Sequence, residues 1–341
     1  MRLKKIGFLM AAGVAILAGC QQTAHTDLTF QRGVQLLAAG SPQSAIPFLT
    51  QVIASAPDGP EPHAILALAY ALDLQSDRAI AQAGQVRRAK GEAPGWELVA
   101  LGIAEMAKRR DSEATRHLDL LVRNIPQGCP MGLAARQWLA LSLLLQGHDA
   151  KALESAETLT HTGPARTTAL LWTALIHAQC DRSSQAAEAL AGAAKEIAVL
   201  EPRKPPLPNG DAEEDGQDLY DAAVAALAKG ELEKATGFFN SVAQRNPNAS
   251  DAPVWLSLIA AANGDWPSGR SKLKAACGIG SLRSRGLASH LFSVVCAIER
   301  RPEAMIQSIV VGQRLLGRSN LPAHVVAQPK ADVVWFSERM E

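Results

Sequence analysis

Eight small residues recur along this chain at nearly constant intervals. They are Ala45, Ala79, Ala114, Ala152, Ala186, Ala235, Gly269 and Ala304, spaced by 34, 35, 38, 34, 49, 34 and 35 residues. The surroundings keep the same phase. Gly33 and Gly102 stand twelve residues before their anchors, and Gly40, Gly147, Gly230 and Gly264 stand five before. Leu49, Leu118, Leu190, Phe239 and Leu273 follow by four, and Pro57, Pro126, Pro164 and Pro247 by twelve. A Gly five before the anchor ends one helix, and a Pro twelve after it stops a second. The small anchor lets the two helices approach closely, and the large apolar residue one turn on fills the space between them. A chain built this way stacks helix hairpins, each buried only by its neighbours, so its 341 residues need no central core. Aromatic residues make up only 4% of a chain that is 48% hydrophobic, and Ala and Leu supply the rest, which favours helix over sheet.

A period of 34 is the length of the tetratricopeptide repeat, and the chain resembles that family over roughly residues 26–318. The resemblance implies an all-α, tetratricopeptide-type α-solenoid, a right-handed superhelix of helix-turn-helix repeats. No unit is perfect: the second has Gly91 where Pro is usual, the fifth has Ala198, and the eighth has neither turn Gly nor stop Pro. The 49-residue interval holds an insertion from Glu201 to Asp218, with four prolines that block helix and the acids Asp211, Glu213, Glu214, Asp215 and Asp218 that keep it hydrated. The expected organisation is therefore five units over 27–200, an acidic Pro-rich linker over 201–218, three units over 219–318, and a tail over 319–341 that caps the last apolar face.

The first residues carry a different signal. Arg2, Lys4 and Lys5 precede an apolar run, Ile6 to Ala18, too short to span a bilayer. Leu17-Ala18-Gly19-Cys20 follows and resembles the lipobox of bacterial lipoproteins. That resemblance implies a signal peptide over 1–19, cleavage before Cys20, acylation of that residue, and a lipidated tether over 20–26. Several acyl chains anchor a protein stably where one does not. Gln21 after the Cys, rather than Asp, points to the outer membrane, facing the periplasm. Loss of residues 1–19 removes three basic residues and no acid, so 34 basic residues become 31 against 33 acids, a net charge of −2. That balance leaves no electrostatic footprint for nucleic acid.

No motif for catalysis is present: there is no HExxH, GxSxG or strand-borne GxGxxG. Gly264 to Ser271 has the spacing of a phosphate-binding loop with Arg270 in place of Lys, yet it falls at the turn between two repeat helices. The eight His show no ligand spacing, and Cys129, Cys180, Cys277 and Cys296 form no CxxC pair. The sequence thus predicts no enzyme, cofactor, metal or small-molecule substrate.

Two features point to a partner. Trp138, Trp172 and Trp255 each lie fourteen residues ahead of their anchors, and Trp96 lies one turn earlier on the same face. In the family that position faces the concave groove, together here with Gln137 and the apolar Val99, Ile103, Leu141, Leu175 and Leu258. The family's clamp for a terminal carboxylate needs Lys, Arg and Asn, which are lacking. Two readings stand: the Trp side chains anchor an apolar segment of a partner protein, or they pack between first helices or under the chain's own tail. The second feature is a basic stretch that includes Arg270, Lys272, Lys274, Arg283 and Arg285, read as a positively charged surface. The expected role is that of a membrane-anchored periplasmic scaffold for a protein partner in the cell envelope. By likeness of layout, such proteins serve the assembly of a pilus, secretion or export machine. The competing role is regulation of an envelope enzyme, or glycan handling along the Trp row.

Overall fold

The computed structural model describes residues 28–89, 95–126, 129–160, 166–200, 212–245 and 251–319. The expected lipobox with Cys20, the tether, residues 201–211 of the linker and the tail after residue 319 lie outside them. Among the described residues there are sixteen helices and no strand. They pair as eight hairpins: α1 (Leu28–Ala38) with α2 (Pro42–Ser55), α3 (Pro60–Leu72) with α4 (Ser76–Val86), α5 (Trp96–Ala107) with α6 (Asp111–Asn124), and α7 (Pro130–Leu145) with α8 (Asp149–Thr160). Next come α9 (Arg166–Gln179) with α10 (Ser183–Leu200), α11 (Ala212–Ala228) with α12 (Leu232–Arg245), α13 (Ala252–Ala262) with α14 (Trp266–Ala276), and α15 (Leu282–Ile298) with α16 (Pro302–Ser319). The chain is an all-α, tetratricopeptide-type solenoid.

One turn geometry is repeated eight times. A residue with positive φ ends each first helix: Gly40, Leu74, Arg109, Gly147, Asp181, Gly230, Gly264 and Arg300. The next amide bonds back five residues, as in Ser41 N to Leu36 O at 2.9 Å and Arg301 N to Cys296 O at 2.8 Å. This closes the last orphan carbonyls of the helix in a Schellman motif. Four of the eight positions are not Gly, so the sequence displays only half of the turns. The left-handed conformation costs an L-residue roughly 1–2 kcal/mol, less for Asp. Asp181 is exposed, so Asp181→Gly changes little besides the backbone. It should raise unfolding stability by about 0.5 kcal/mol, read from the denaturant midpoint.

The turns also fix the register of every unit. Each anchor lies five residues after the positive-φ residue, and its amide bonds to the residue four before, as Ala45 N does to Ser41 O. In the eighth hairpin Arg300 takes the turn and Met305 N bonds to Arg301 O. The anchor there is Met305, fully buried, while Ala304 is half-exposed and one residue out of phase. Second helices bury the anchor with the fourth and seventh residues after it: Ala45, Leu49 and Val52; Ala114, Leu118 and Leu121; Ala235, Phe239 and Val242; Met305, Ile309 and Gly312. Each such Leu or Phe stabilises its hairpin by about 1.5–3 kcal/mol. Gly102 shows the close approach: a Cβ there would stand 2.6 Å from Leu118 Cγ.

The described chain falls into two compact bodies. One comprises residues 28–155 with Cys296–Gly317; the other is Ala156–Val295. In the first body every first helix packs on the next (α1 on α3, α3 on α5, α5 on α7), and second helices wedge against the following first helix. Residues of α16 join this body at its start. Arg314 Nε donates to Gly40 O at 3.0 Å, and a Cβ on Gly40 would stand 2.6 Å from both Arg314 N and Val310 O. At the other end of the same helix, Arg109 Nη1 donates to Arg300 O at 3.2 Å. α16 therefore runs beside the hairpin turns, from the third repeat towards the first. Unlike α2, α4 and α6, it is buried on more than one stripe: Ile306, Val310, Val311, Leu315 and Leu316 are covered as well as Met305 and Ile309.

The second body departs from a regular stack. α9 and α10 both pack directly on α13, although the hairpin α11–α12 lies between them in sequence. That hairpin itself packs on α10 through α11 and on α13 through α12. α11 begins at Ala212 and so takes in Glu213, Glu214, Asp215 and Asp218, which their acidic composition assigns to the linker. The division into bodies falls at Ala156 rather than at this insertion.

Candidate functional site

The four Trp side chains occupy the first helices, as the spacing predicts, and all are covered by the chain itself. Trp96 is 4% exposed, Trp138 8%, Trp172 1% and Trp255 1%. Trp96 opens α5 behind Gly95 in the left-handed conformation, and α5 is packed on both sides by α3 and α7. Trp255 stacks on Phe239 of α12 with centroids 5.9 Å apart, and its Nε1 donates to Tyr220 of α11 at 3.0 Å. Trp172 lies against His290 of α15, with centroids 5.5 Å apart, and its Nε1 has no acceptor among the described residues. Val99, Ile103, Leu141, Leu175 and Leu258 are buried likewise, and Gln137 is half-buried. The row is thus packed between helices in this structure and presents no ring face to a partner. The physical reason lies in the neighbours: in the first body α3 and α7 close over α5, and in the second α13 packs on α9 and α10.

The basic residues separate into two groups. Arg270, Lys272 and Lys274 are exposed on α14. Arg283 is only 26% exposed and stands 3.8 Å from the Asp251 carboxylate. Arg285 is buried, its Nε donating to Cys277 O at 3.2 Å, so it is no part of a basic surface. Burial raises the Asp251 carboxyl above its ordinary value, against the opposing pull of Arg283.

The remaining chemistry is sparse. Gly264, at φ +85°, ends α13, and the segment with phosphate-loop spacing is a turn between helices, as expected. Cys129, Cys180, Cys277 and Cys296 form no disulfide among the described residues. Among the described residues no three His, Cys, Asp or Glu stand together as a metal site, and no helix is long and apolar enough to cross a membrane.

One concave feature is not foreshadowed by the repeat pattern. A groove of about 480 Å³ opens between α12 and α14, with α13 as its floor. Thr236 and Asn240 line one wall, Leu256 and Ile259 the floor, and Lys272 and Ile279 the other side. Ile279 is 48% exposed, and among the described residues only Leu28 and Leu120 are large apolar residues exposed more than it. A Cβ on Gly237, in α12, would meet nothing within 4 Å. The signal available in the sequence is the pair of polar residues Thr236 and Asn240 on a helix whose other face is apolar.

No family model matches the chain, and no curated protein matches it. Solved structures do. One is YrrB, a tetratricopeptide protein with an unusual peptide-binding site, at 16% identity over 55% of this chain and 93% of that one, with a TM-score of 0.36. Another is the C-terminal part of a tetratricopeptide protein from Cytophaga hutchinsonii, at 13% identity, 72% and 93% coverage and a TM-score of 0.41. A third is a tetratricopeptide protein from Parabacteroides merdae, at 12% identity, 91% and 97% coverage and a TM-score of 0.34. At these values the likeness adds nothing to the fold, which the eight hairpins define by themselves.

Proposed function

We propose that this protein is a lipid-anchored scaffold of the bacterial outer membrane whose periplasmic helices hold another protein, in the assembly of a pilus, secretion or export machine. The observation that carries the reading is the joint presence of a lipobox-like Leu17-Ala18-Gly19-Cys20 and a solenoid of eight hairpins with no catalytic constellation among its described residues. Stacked hairpins expose extended surface relative to their buried volume, which suits them to binding chains rather than to enclosing substrates. The burial of Trp96, Trp138, Trp172 and Trp255 moves the contact away from the indole row. It also weakens the second reading, glycan stacking along that row, which needs open ring faces.

The test has two arms. The full chain expressed in a bacterial envelope should take up labelled palmitate and partition into detergent, and Cys20→Ser should abolish both. Photo-crosslinking from exposed positions along α4, α6 and α14 should then yield a component of an assembly or export machine. A wild-type chain that takes up no lipid sinks the anchor; crosslinks to a cell-wall enzyme favour regulation instead.

A further inference from the structure

We infer that the N-terminal end of α15 holds a small tetrahedral oxyanion of the phosphate type, bound by the buried guanidinium of Arg285 and by backbone amides of the loop that leads into the helix. The site lies within the second body and goes beyond the scaffold reading.

The argument begins with an unanswered charge. Arg285 is 6% exposed, its Nε donates to Cys277 O at 3.2 Å, and its buried Nη2 meets no acceptor. No acid forms an ion pair with it among the described residues. A guanidinium keeps its proton inside a protein, and a buried charge with no counter-charge is strongly unfavourable. Asp251, the acid at this end of the helix, faces Arg283, at 3.8 Å, and Ser284. Arg283 therefore has its partner, and the missing anion is that of Arg285.

The helix end supplies the other ligands. Side chains on a helix lean towards its N-terminus. The bond to Cys277 O, just ahead of the loop Gly278 to Ser281, sets the head of Arg285 at that end. α15 has seventeen residues and no acid in its first turn to answer its dipole. Ser281 takes up two of the first amides: its Oγ accepts Ser284 N at 3.1 Å and its carbonyl accepts Arg285 N at 2.9 Å. The amides of Gly280, Ser281 and Leu282 have no acceptor among the described residues. Gly280 holds φ +97°, and left-handed residues in such loops turn successive amides towards one point. A positive dipole end, open amides and a charged fork are the chemistry that binds phosphate. Arg285 is buried and Arg283 only 26% exposed, so the site suits a free ion rather than a headgroup held in a bilayer. The loop beside it has two glycines, Gly278 and Gly280, and gives way as the ion enters.

The experiment uses the full chain and inorganic phosphate, with chloride at matched ionic strength as the control. The thermal midpoint of the wild type should rise saturably with phosphate, half-maximally at about 1 mM or below, and not with chloride. Arg285→Lys keeps the charge but loses the fork, and should weaken phosphate about tenfold or more. Arg285→Met should abolish the response; where it does not fold, the lysine variant carries the comparison. Asp251→Asn removes the negative charge beside Arg283 and should tighten phosphate by about threefold. No saturable rise in the wild type, or an equal rise with chloride, overturns the proposal. An undiminished response in Arg285→Lys and Arg285→Met also overturns it and shows an adventitious ion only. Retention on phosphatidic acid vesicles without a response to free phosphate moves the chemistry to a lipid headgroup and overturns the free-ion site.

Discussion

Gly40→Ala should cost the protein about 3 kcal/mol and release α16 from the first hairpin, whereas Gly230→Ala, at the equivalent turn, should cost only about 1 kcal/mol. Both residues hold positive φ, +68° and +78°, so each variant bears the same backbone penalty. They differ in what the new methyl meets. At Gly230 it meets nothing within 4 Å; at Gly40 it meets Arg314 N and Val310 O at 2.6 Å. Those are backbone atoms of a helix and cannot swing aside, and forcing a core apart in this way costs about 1–3 kcal/mol more. A denaturant midpoint for each variant measures the difference. Hydrogen exchange of the amides from Val310 to Arg314 shows whether α16 has let go. Equal losses at the two sites would mean that α16 does not rest on the first repeat in solution. The consequence reaches beyond one contact. In an open solenoid stability is a sum over neighbours, and the ends fray first. Here residues 296–317 belong to the same compact body as the first four hairpins, so α1, α2 and α16 should unfold together.

The period, the hairpins and the turn position are legible in the sequence because they rest on local rules. A left-handed residue five before a buried anchor is a property of a few residues, and Gly40, Gly147, Gly230 and Gly264 advertise it. Leu74, Arg109, Asp181 and Arg300 adopt the same turn without the advertisement. That is why the spacing sets the eighth unit one residue early, on the small Ala304, when the flexible Met305 fills the place instead. What depends on distant segments is not legible. Val310 and Arg314 look like ordinary outer positions of a second helix, and nothing local says that Gly40 lies against them. The same holds for Arg285, whose guanidinium is bound by Cys277 O, and for the indoles, whose places on their helices follow from spacing but whose exposure is decided by other hairpins. The groove escapes for the opposite reason. One wall is Thr236 and Asn240, polar residues that hold no place in the repeat pattern.

Lowering the pH from 6.5 towards 4 should remove about 3 kcal/mol of stability through a single group, the buried His290, and His290→Phe should abolish that slope. Burial of the imidazole beside Trp172 lowers its pKa to about 4, against 6.5 for the exposed side chain. Between these values the unfolded chain binds a proton that the folded chain refuses. Stability therefore rises with pH across the window, is fully present above 6.5, and is lost as pH falls through the window towards 4. Each tenfold difference in proton affinity between the folded and unfolded chains is worth about 1.4 kcal/mol, and the gap between the two pKa values spans more than two such factors. Phe keeps the ring against Trp172 and removes the titration. His177 and His117 are also held below their ordinary values by burial and act in the same direction. Asp251 acts oppositely: its buried carboxyl is held above its ordinary value, so the folded state gains protons as pH falls. The difference between wild type and His290→Phe cancels these shared contributions and isolates the one group. Unfolding free energies for both chains, at neutral pH and again near the lower end of the window, provide the measurement. Parallel lines for the two proteins would show that His290 accepts its proton in the folded state, and so that water reaches the space beside Trp172.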